Sequence, residues 1–420
     1  MAKLKFFQKL IYTSAEKHFS AFSRFASGLI NEWICSVTPF GVFLFTAGIM
    51  IFSGNPVVAN PGPGNGLDTT KVSTPGFFDR ISGIGEGVID RITWEWEETV
   101  FTVYPVIGLN PRSGFVYGVM PALKWDSYEA GKTNTLTVNA EASTQGMKQL
   151  QVEHEWYLNS EWLFRGKVLI NEREDQFWPE GSSDGVYFNR REERLDWYLL
   201  RSLTPSLMGG VEILWGRNDF SDSPFPANVG MDGKKGGVVA GMGPALVFDN
   251  RERTLAPSRG NFIELAWLFA GAGDLGNYRY DRLTLDARRY WSKRENGTVW
   301  AFQSILDFAE GNVPFYEEPQ LGGKERLRGV GHPLRQTGGN TWLIRGEIRQ
   351  PVWWRIGAVF FAGMGKASND FENPFKDVTG SFGTGLRFRI LPDDPLNVRL
   401  DFGVSTLKTN GFYISLKEAF

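Results

Sequence analysis

"NVRLDFGV", residues 397–404, alternates without a break: Val398, Leu400, Phe402 and Val404 against Asn397, Arg399, Asp401 and Gly403. Successive side chains of a strand point to opposite faces, so this stretch reads as a strand with one apolar and one polar face. "FGTGLRFRI" (382–390), "NTWLIRGEIR" (340–349) and "RLTLDARRYW" (282–291) repeat the pattern. A soluble sandwich turns its polar face to water and its apolar face to a second sheet. A transmembrane barrel turns the apolar face to lipid and the polar face to its lumen. Both alternate, so length, number and connection must separate them.

Working outward, sixteen such segments can be marked: 99–106, 113–124, 132–142, 147–157, 161–170, 186–203, 207–217, 236–248, 260–270, 279–292, 297–308, 340–350, 356–366, 379–390, 396–404 and 411–419. Most run about 9–13 residues, the length a tilted strand needs to cross hydrocarbon. The connections alternate in length. Those after the fourth, sixth, tenth, twelfth and fourteenth segments are a few residues each, whereas 171–185, 218–235, 309–339 and 367–378 are long. Short turns on one side and long loops on the other belong to outer-membrane barrels. The sequence therefore predicts an all-β, transmembrane antiparallel barrel over residues 99–420. Its end, "GFYISLKEAF", sets Phe412, Ile414, Leu416 and Phe420 on one parity, as bacterial barrels present to their assembly machinery, with Glu418 breaking the pattern.

Composition agrees. Aromatics make up 14% of the chain, yet mean hydropathy is only −0.24, so bulky apolar residues are interleaved with polar ones rather than pooled. The net charge of −2 gives no electrostatic case for nucleic acid. Lys3, Lys5, Lys9, Lys17 and Arg24 precede an apolar run, "ICSVTPFGVFLFTAGIMIF" (34–52), and Val57 and Ala59 occupy the −3 and −1 positions of a signal-peptidase site. Residues 1–59 read as a signal peptide; the competing reading is a retained transmembrane anchor. Cleavage after Ala59 would remove Cys35, the only cysteine. Residues 60–98 read as a short periplasmic segment: a linker at "NPGPGNG" (60–66), then a possible amphipathic helix with Phe77, Ile81, Ile84, Val88 and Ile92 at helical spacing.

The longest loop contains "QLGGKERLRGVGHP" (320–333), Gly-rich and basic. A phosphate loop needs a strand before, a helix after, and Gly-Lys followed by Ser or Thr; here Glu325 follows Lys324 and no helical pattern follows. Lipase chemistry needs a His near a Ser with an orienting partner. Beyond the signal only His154 and His332 remain; His154 shares the outward parity of Val152 and Trp156, and no serine lies near His332 in sequence. Two histidines and no cysteine form no recognisable metal set. No catalytic residue, cofactor or metal is expected.

Four stretches then carry a resemblance to the BamA/TamA family of outer-membrane barrels, the bacterial surface-antigen group that includes two-partner-secretion transporters. "YPVIGLNPRSGFVYG" (104–118) resembles the start of the family barrel, and "FDNRERTLAPSRGNF" (248–262) its Asp-x-Arg … Pro-x-x-Gly turn. "PQLGGKERLRGV" (319–330) resembles the long sixth extracellular loop, with Leu327-Arg328-Gly329-Val330 at its signature, and "EIRQPVWWRIGAVFFAGMG" (347–365) the next two strands. The resemblance implies that the sixth loop folds into the lumen and that its arginine, Arg328, is tied to acidic side chains. Glu347 matches the family acid on the following strand. The second family acid falls at Gly363, within Phe361-Ala362-Gly363-Met364-Gly365, where no acid stands; Asp401, inward on the fifteenth segment, is the candidate substitute. Arg328 either only holds the loop or takes part in a transport step. Family members carry periplasmic POTRA domains, and residues 60–98 are too few for one, so a short form is expected.

The function implied is assembly, insertion or translocation of protein or lipid at the outer membrane, without covalent chemistry. Its partners would be outer-membrane lipid, client polypeptides and a separate periplasmic protein. A passive channel or structural barrel is the alternative, and a lipid-acting enzyme a further one.

Overall fold

In the computed structural model of the chain, the described residues are 92–420, apart from 97–98, 111–112, 128–131, 179–184, 222–224, 226–230, 295–296, 370–372 and 390–396. They belong to one compact unit, Ile84–Phe420. The signal peptide, its cleavage site, the linker and nearly all of the 77–92 helical pattern lie outside the described residues.

Seventeen strands form one antiparallel sheet. They are β1 (Thr93–Trp96), β2 (Thr99–Asn110), β3 (Gly114–Ser127), β4 (Lys132–Ser143), β5 (Lys148–Tyr157), β6 (Trp162–Phe177), β7 (Val186–Thr204), β8 (Leu207–Ser221) and β9 (Gly237–Asp249). Then come β10 (Gly260–Ala270), β11 (Tyr280–Ser292), β12 (Val299–Gly311), β13 (Asn340–Trp353), β14 (Ile356–Ser368), β15 (Thr379–Arg389), β16 (Asn397–Ser405) and β17 (Asn410–Leu416). From β2 to β17 each strand pairs with the next, and β17 comes back beside β2. These sixteen barrel strands correspond to the sixteen sequence segments.

The additional strand, β1, falls in the stretch assigned above to no barrel strand. It pairs with the start of β2, Thr93↔Thr102 through Trp96↔Thr99. Because β3 occupies one edge of β2 along its whole length, β1 lies on the other, the edge that faces β17.

The outer face is apolar: Phe360, Phe382, Leu386, Phe302 and Trp267 each keep between 46% and 64% of their surface exposed. A continuous apolar belt of this kind is a liability in water and is what hydrocarbon requires. Tryptophans mark one boundary, with Trp291 of β11 directly opposite Trp300 of β12 near the short-turn end. His154 belongs to this outer face, its ring 4.6 Å from Trp156 and 4.5 Å from Phe164.

The lumen is filled. The 312–339 connection turns inward, and its Phe315, Tyr316 and Leu334 pack with Phe177, Phe188, Leu214, Val239 and Leu268 in one buried cluster. Ion pairs also span the lumen between strands that are not neighbours, as between Arg165 of β6 and Glu264 of β10. At the resembling turn after β9, Asp249 takes two hydrogen bonds from the Arg251 guanidinium, at 2.9 and 2.7 Å, and one from its backbone N–H at 3.1 Å. Glu252 of the same turn accepts from the Ser258 and Arg259 backbone N–H groups. Burial pushes its carboxyl upward, but those donors outweigh it and hold the pKa below the usual carboxylate value.

Candidate functional site: a lumenal lock joined to the last strand

The loop carries its cations where the barrel wall carries acids. Arg328 is 2% exposed. Its Nη1 donates to Asp401 Oδ2 at 2.6 Å and its Nη2 to Glu347 Oε1, so one guanidinium bridges β16 and β13. The Phe361 ring of β14 lies beneath it, 3.5 Å from Cζ to the ring centroid. A buried guanidinium needs such partners, because desolvation without them costs several kcal/mol.

Local backbone delivers Arg328 to this place. Gly329 sits at φ +94°, and a Cβ there would come within 2.6 Å of the Val404 backbone nitrogen. Only glycine permits both the left-handed conformation and the close approach. Around it, Gly329 N–H donates to Tyr413 Oη at 3.1 Å, and Thr409 Oγ1 donates to the Gly329 carbonyl at 2.7 Å. Leu327 and Val330 are fully buried with Leu321 and Leu343. Val330 fills this cluster beside Gly322.

Gly363 lies directly below the loop. A Cβ there would meet Leu327 Cδ2 and Arg345 Cβ, both at 2.8 Å. No side chain fits at the second family position, and the second carboxylate comes from Asp401 instead. Gly365 is likewise closed by Leu321 and Leu343.

The lock continues beyond the loop. Glu347 Oε2 accepts from Arg349 at 2.8 Å, and Asp401 Oδ1 from Arg387 at 2.6 Å. Both arginines then reach the segment that follows β17. Arg387 donates to Glu418 at 2.7 Å, Arg349 to the Phe420 carbonyl at 2.9 Å, and Arg345 to the Ala419 carbonyl at 3.1 Å. Arg345 also donates to the Arg326 carbonyl of the loop at 2.7 Å. The Phe420 ring lies under Arg345 and Arg349, at 4.4 and 5.3 Å. Lys417, at φ +68°, turns the chain inward and pairs with Glu153 of β5 at 2.6 Å.

This placement differs from the single outward parity expected for Phe412, Ile414, Leu416 and Phe420. The strand ends at Leu416; Phe412 is on the outer face, while Phe420 is buried in the lumen at 6% exposure. Glu418 breaks the apolar pattern because it answers Arg387 inside the barrel.

A second lock holds the other half of the loop. Asp307 of β12, fully buried, takes Arg282 at 2.8 and 2.9 Å and Arg326 of the loop at 2.7 Å. Glu317 of the loop takes Arg194 at 2.7 Å. His332 is seated against Asp175 of β6 at 2.7 Å, with its Nδ1 accepting from Leu334 N–H. Sequence reasoning named Arg328, Glu347 and Asp401 but missed Arg345, Arg349, Arg387, Asp307 and Glu418. The inward parity of Arg345, Arg349, Arg387 and Asp307 was visible, that of Glu418 was not, and neither was which acid each arginine would meet.

An apolar outer face and a lumen that holds a pinned inward loop define the class: a transmembrane antiparallel β-barrel. The chain belongs to the Omp85 superfamily, whose domain matches residues 130–420. Among curated proteins, none matches. Among the solved structures that share the fold are the following three. BamA from Haemophilus ducreyi lacking POTRA domains 1–3 is 13% identical with a TM-score of 0.52, covering 77% of this chain and 70% of its own. CdiB from Acinetobacter baumannii is 11% identical with a TM-score of 0.53, covering 77% and 60%. CdiB from Escherichia coli is 9% identical with a TM-score of 0.51, covering 77% and 64%. The chain thus spans less than two thirds of either CdiB.

Proposed function

We propose that this barrel inserts or translocates polypeptides at the outer membrane by opening between β2 and β17. The observation that carries this reading is the unequal length of the two strands that meet where the ends of the barrel sheet come together. β2 has 12 residues and β17 only 7. A Cβ on Gly108 of β2 would lie 3.9 Å from Ile414 Cβ of β17. β1 covers Thr99–Thr102 on the same edge. The edge of β2 continues past Thr102 to Asn110 without β1, and a strand edge of this kind is a template for a client strand. The passive-channel alternative is disfavoured by a lumen that holds both the loop and the 417–420 segment through buried ion pairs.

The test follows from the same pair. A Cβ–Cβ distance of 3.9 Å suits a disulfide, so Gly108→Cys with Ile414→Cys should seal the seam under oxidation. Insertion of a client barrel into liposomes should stop when the bond forms and return on reduction, with ion conductance through the lumen unchanged. Insertion that continues through a sealed seam would overturn the reading.

A further inference from the structure

The outer face carries a groove that the lock and the seam do not use. It has a volume of about 610 Å³ and lies across β10 to β14. Its floor is made of small outward residues, Ala287, Ser304, Gly346 and Ala362, which the strand pairing sets side by side: Ala287 opposite Ser304 and Gly346 opposite Ala362. Its walls are Ile263, Phe302, Ile344 and Met364, all outward and exposed. The volume is that of a typical small-ligand site.

One charged side chain stands at its rim. Arg289 of β11 has the outward parity of Ala287 and Trp291 and is opposite Phe302. It is one outward position inside the Trp291–Trp300 pair, which marks the short-turn, periplasmic boundary. A guanidinium at that depth reaches the phosphate level by extending its stem. Among the described residues no hydrogen bond or ion pair holds it. Arg201, outward near the same end of β7, is by contrast neutralised by Glu161 at 2.9 Å.

We infer that this groove binds one phospholipid of the inner leaflet, an acyl chain lying over the small-residue floor and the headgroup phosphate on Arg289. The charge complements a phosphate, the apolar walls complement an acyl chain, and the position of Arg289 selects the periplasmic leaflet. This inference rests on the barrel's place in the membrane and is independent of the proposed insertion activity.

The experiment uses the full chain, delipidated in detergent, with dioleoylphosphatidylglycerol, dioleoylglycerol or lipid A added and bound lipid counted by native mass spectrometry. The wild type should retain one phosphatidylglycerol and little dioleoylglycerol. Arg289→Gln should weaken retention roughly fivefold, which corresponds to about 1 kcal/mol for one cation near a membrane surface. Ala287→Leu, which fills the floor without touching the charge, should weaken it independently, while Arg201→Gln should behave as the wild type. Heat-modifiable migration on gels checks that each variant is folded. Equal retention in folded Arg289→Gln and Ala287→Leu variants, equal retention of dioleoylglycerol, or preference for lipid A would each overturn the assignment.

Discussion

Arg328 is shared by two carboxylates, and this changes what its removal should do. Breaking a fully buried pair costs about 3–5 kcal/mol, and a hydrated lumen lowers that figure. Arg328→Ala strands both Glu347 and Asp401, although each keeps a second arginine, Arg349 or Arg387. Arg328→Ala should therefore loosen the loop, raise protease cleavage near Lys324 and increase conductance. Glu347→Ala should do the same, and the double variant should be little worse than either single, as measured by a double-mutant cycle. Additive effects would mean that Arg328 and Glu347 do not act as partners. Gly363→Asp would restore the family acid in sequence but not in space. Leu327 and Arg345 already occupy the volume, so this variant should lower the thermal unfolding temperature and free the loop instead of tightening it.

At the scale of elements, the alternation of β15 and β16 makes opposite predictions for adjacent residues. Leu386 and Phe402 face outward at 53% and 47% exposure, with Arg387 and Asp401 inward and buried. Leu386→Arg and Phe402→Arg should each cost roughly 2–4 kcal/mol if near the midplane, measured by urea unfolding in lipid vesicles. Arg389→Gln, on the inward parity, should cost much less. The segment after β17 has its own test. Glu418→Gln weakens one tie to Arg387, whereas deleting Ala419 and Phe420 removes the acceptors of Arg345 and Arg349. The deletion should raise conductance more than the substitution, since it empties part of the lumen as well. Equal conductance in the two would show that the terminal residues do not obstruct the pore.

For the whole molecule, the locks and the seam form one connected body. Arg328, Glu347, Arg349 and Phe420 make one chain of contacts from loop to tail, and Arg328, Asp401, Arg387 and Glu418 make another. A loop that leaves the lumen therefore takes one cation from the two acids that also order the arginines holding the segment after β17. Export comes before any of this. The Val57-x-Ala59 site leads us to propose that the mature chain starts at Asn60. Intact mass of membrane-extracted protein should lack residues 1–59, and recovery of Cys35 in the mature chain would contradict cleavage.

The barrel was legible in the sequence because a strand that is lipid on one side and lumen on the other must alternate. Strand length and connection length then follow from membrane thickness, which is why fifteen of the sixteen segments can be marked within about four residues of their ends; β6 runs seven residues past its marked end, into the stretch 171–177 read as loop. Arg328, Glu347 and Asp401 were legible through a family motif joined to parity. β1 was not, since four residues carry no periodicity. The inward turn at Lys417 was not, because Phe412, Ile414, Leu416 and Phe420 share one parity on paper while a single left-handed residue redirects the last of them. Which acid meets which arginine also waited for the tertiary structure. Pairing across a lumen depends on how far each strand is shifted against strands many positions away in the barrel, and local sequence holds no record of that distance.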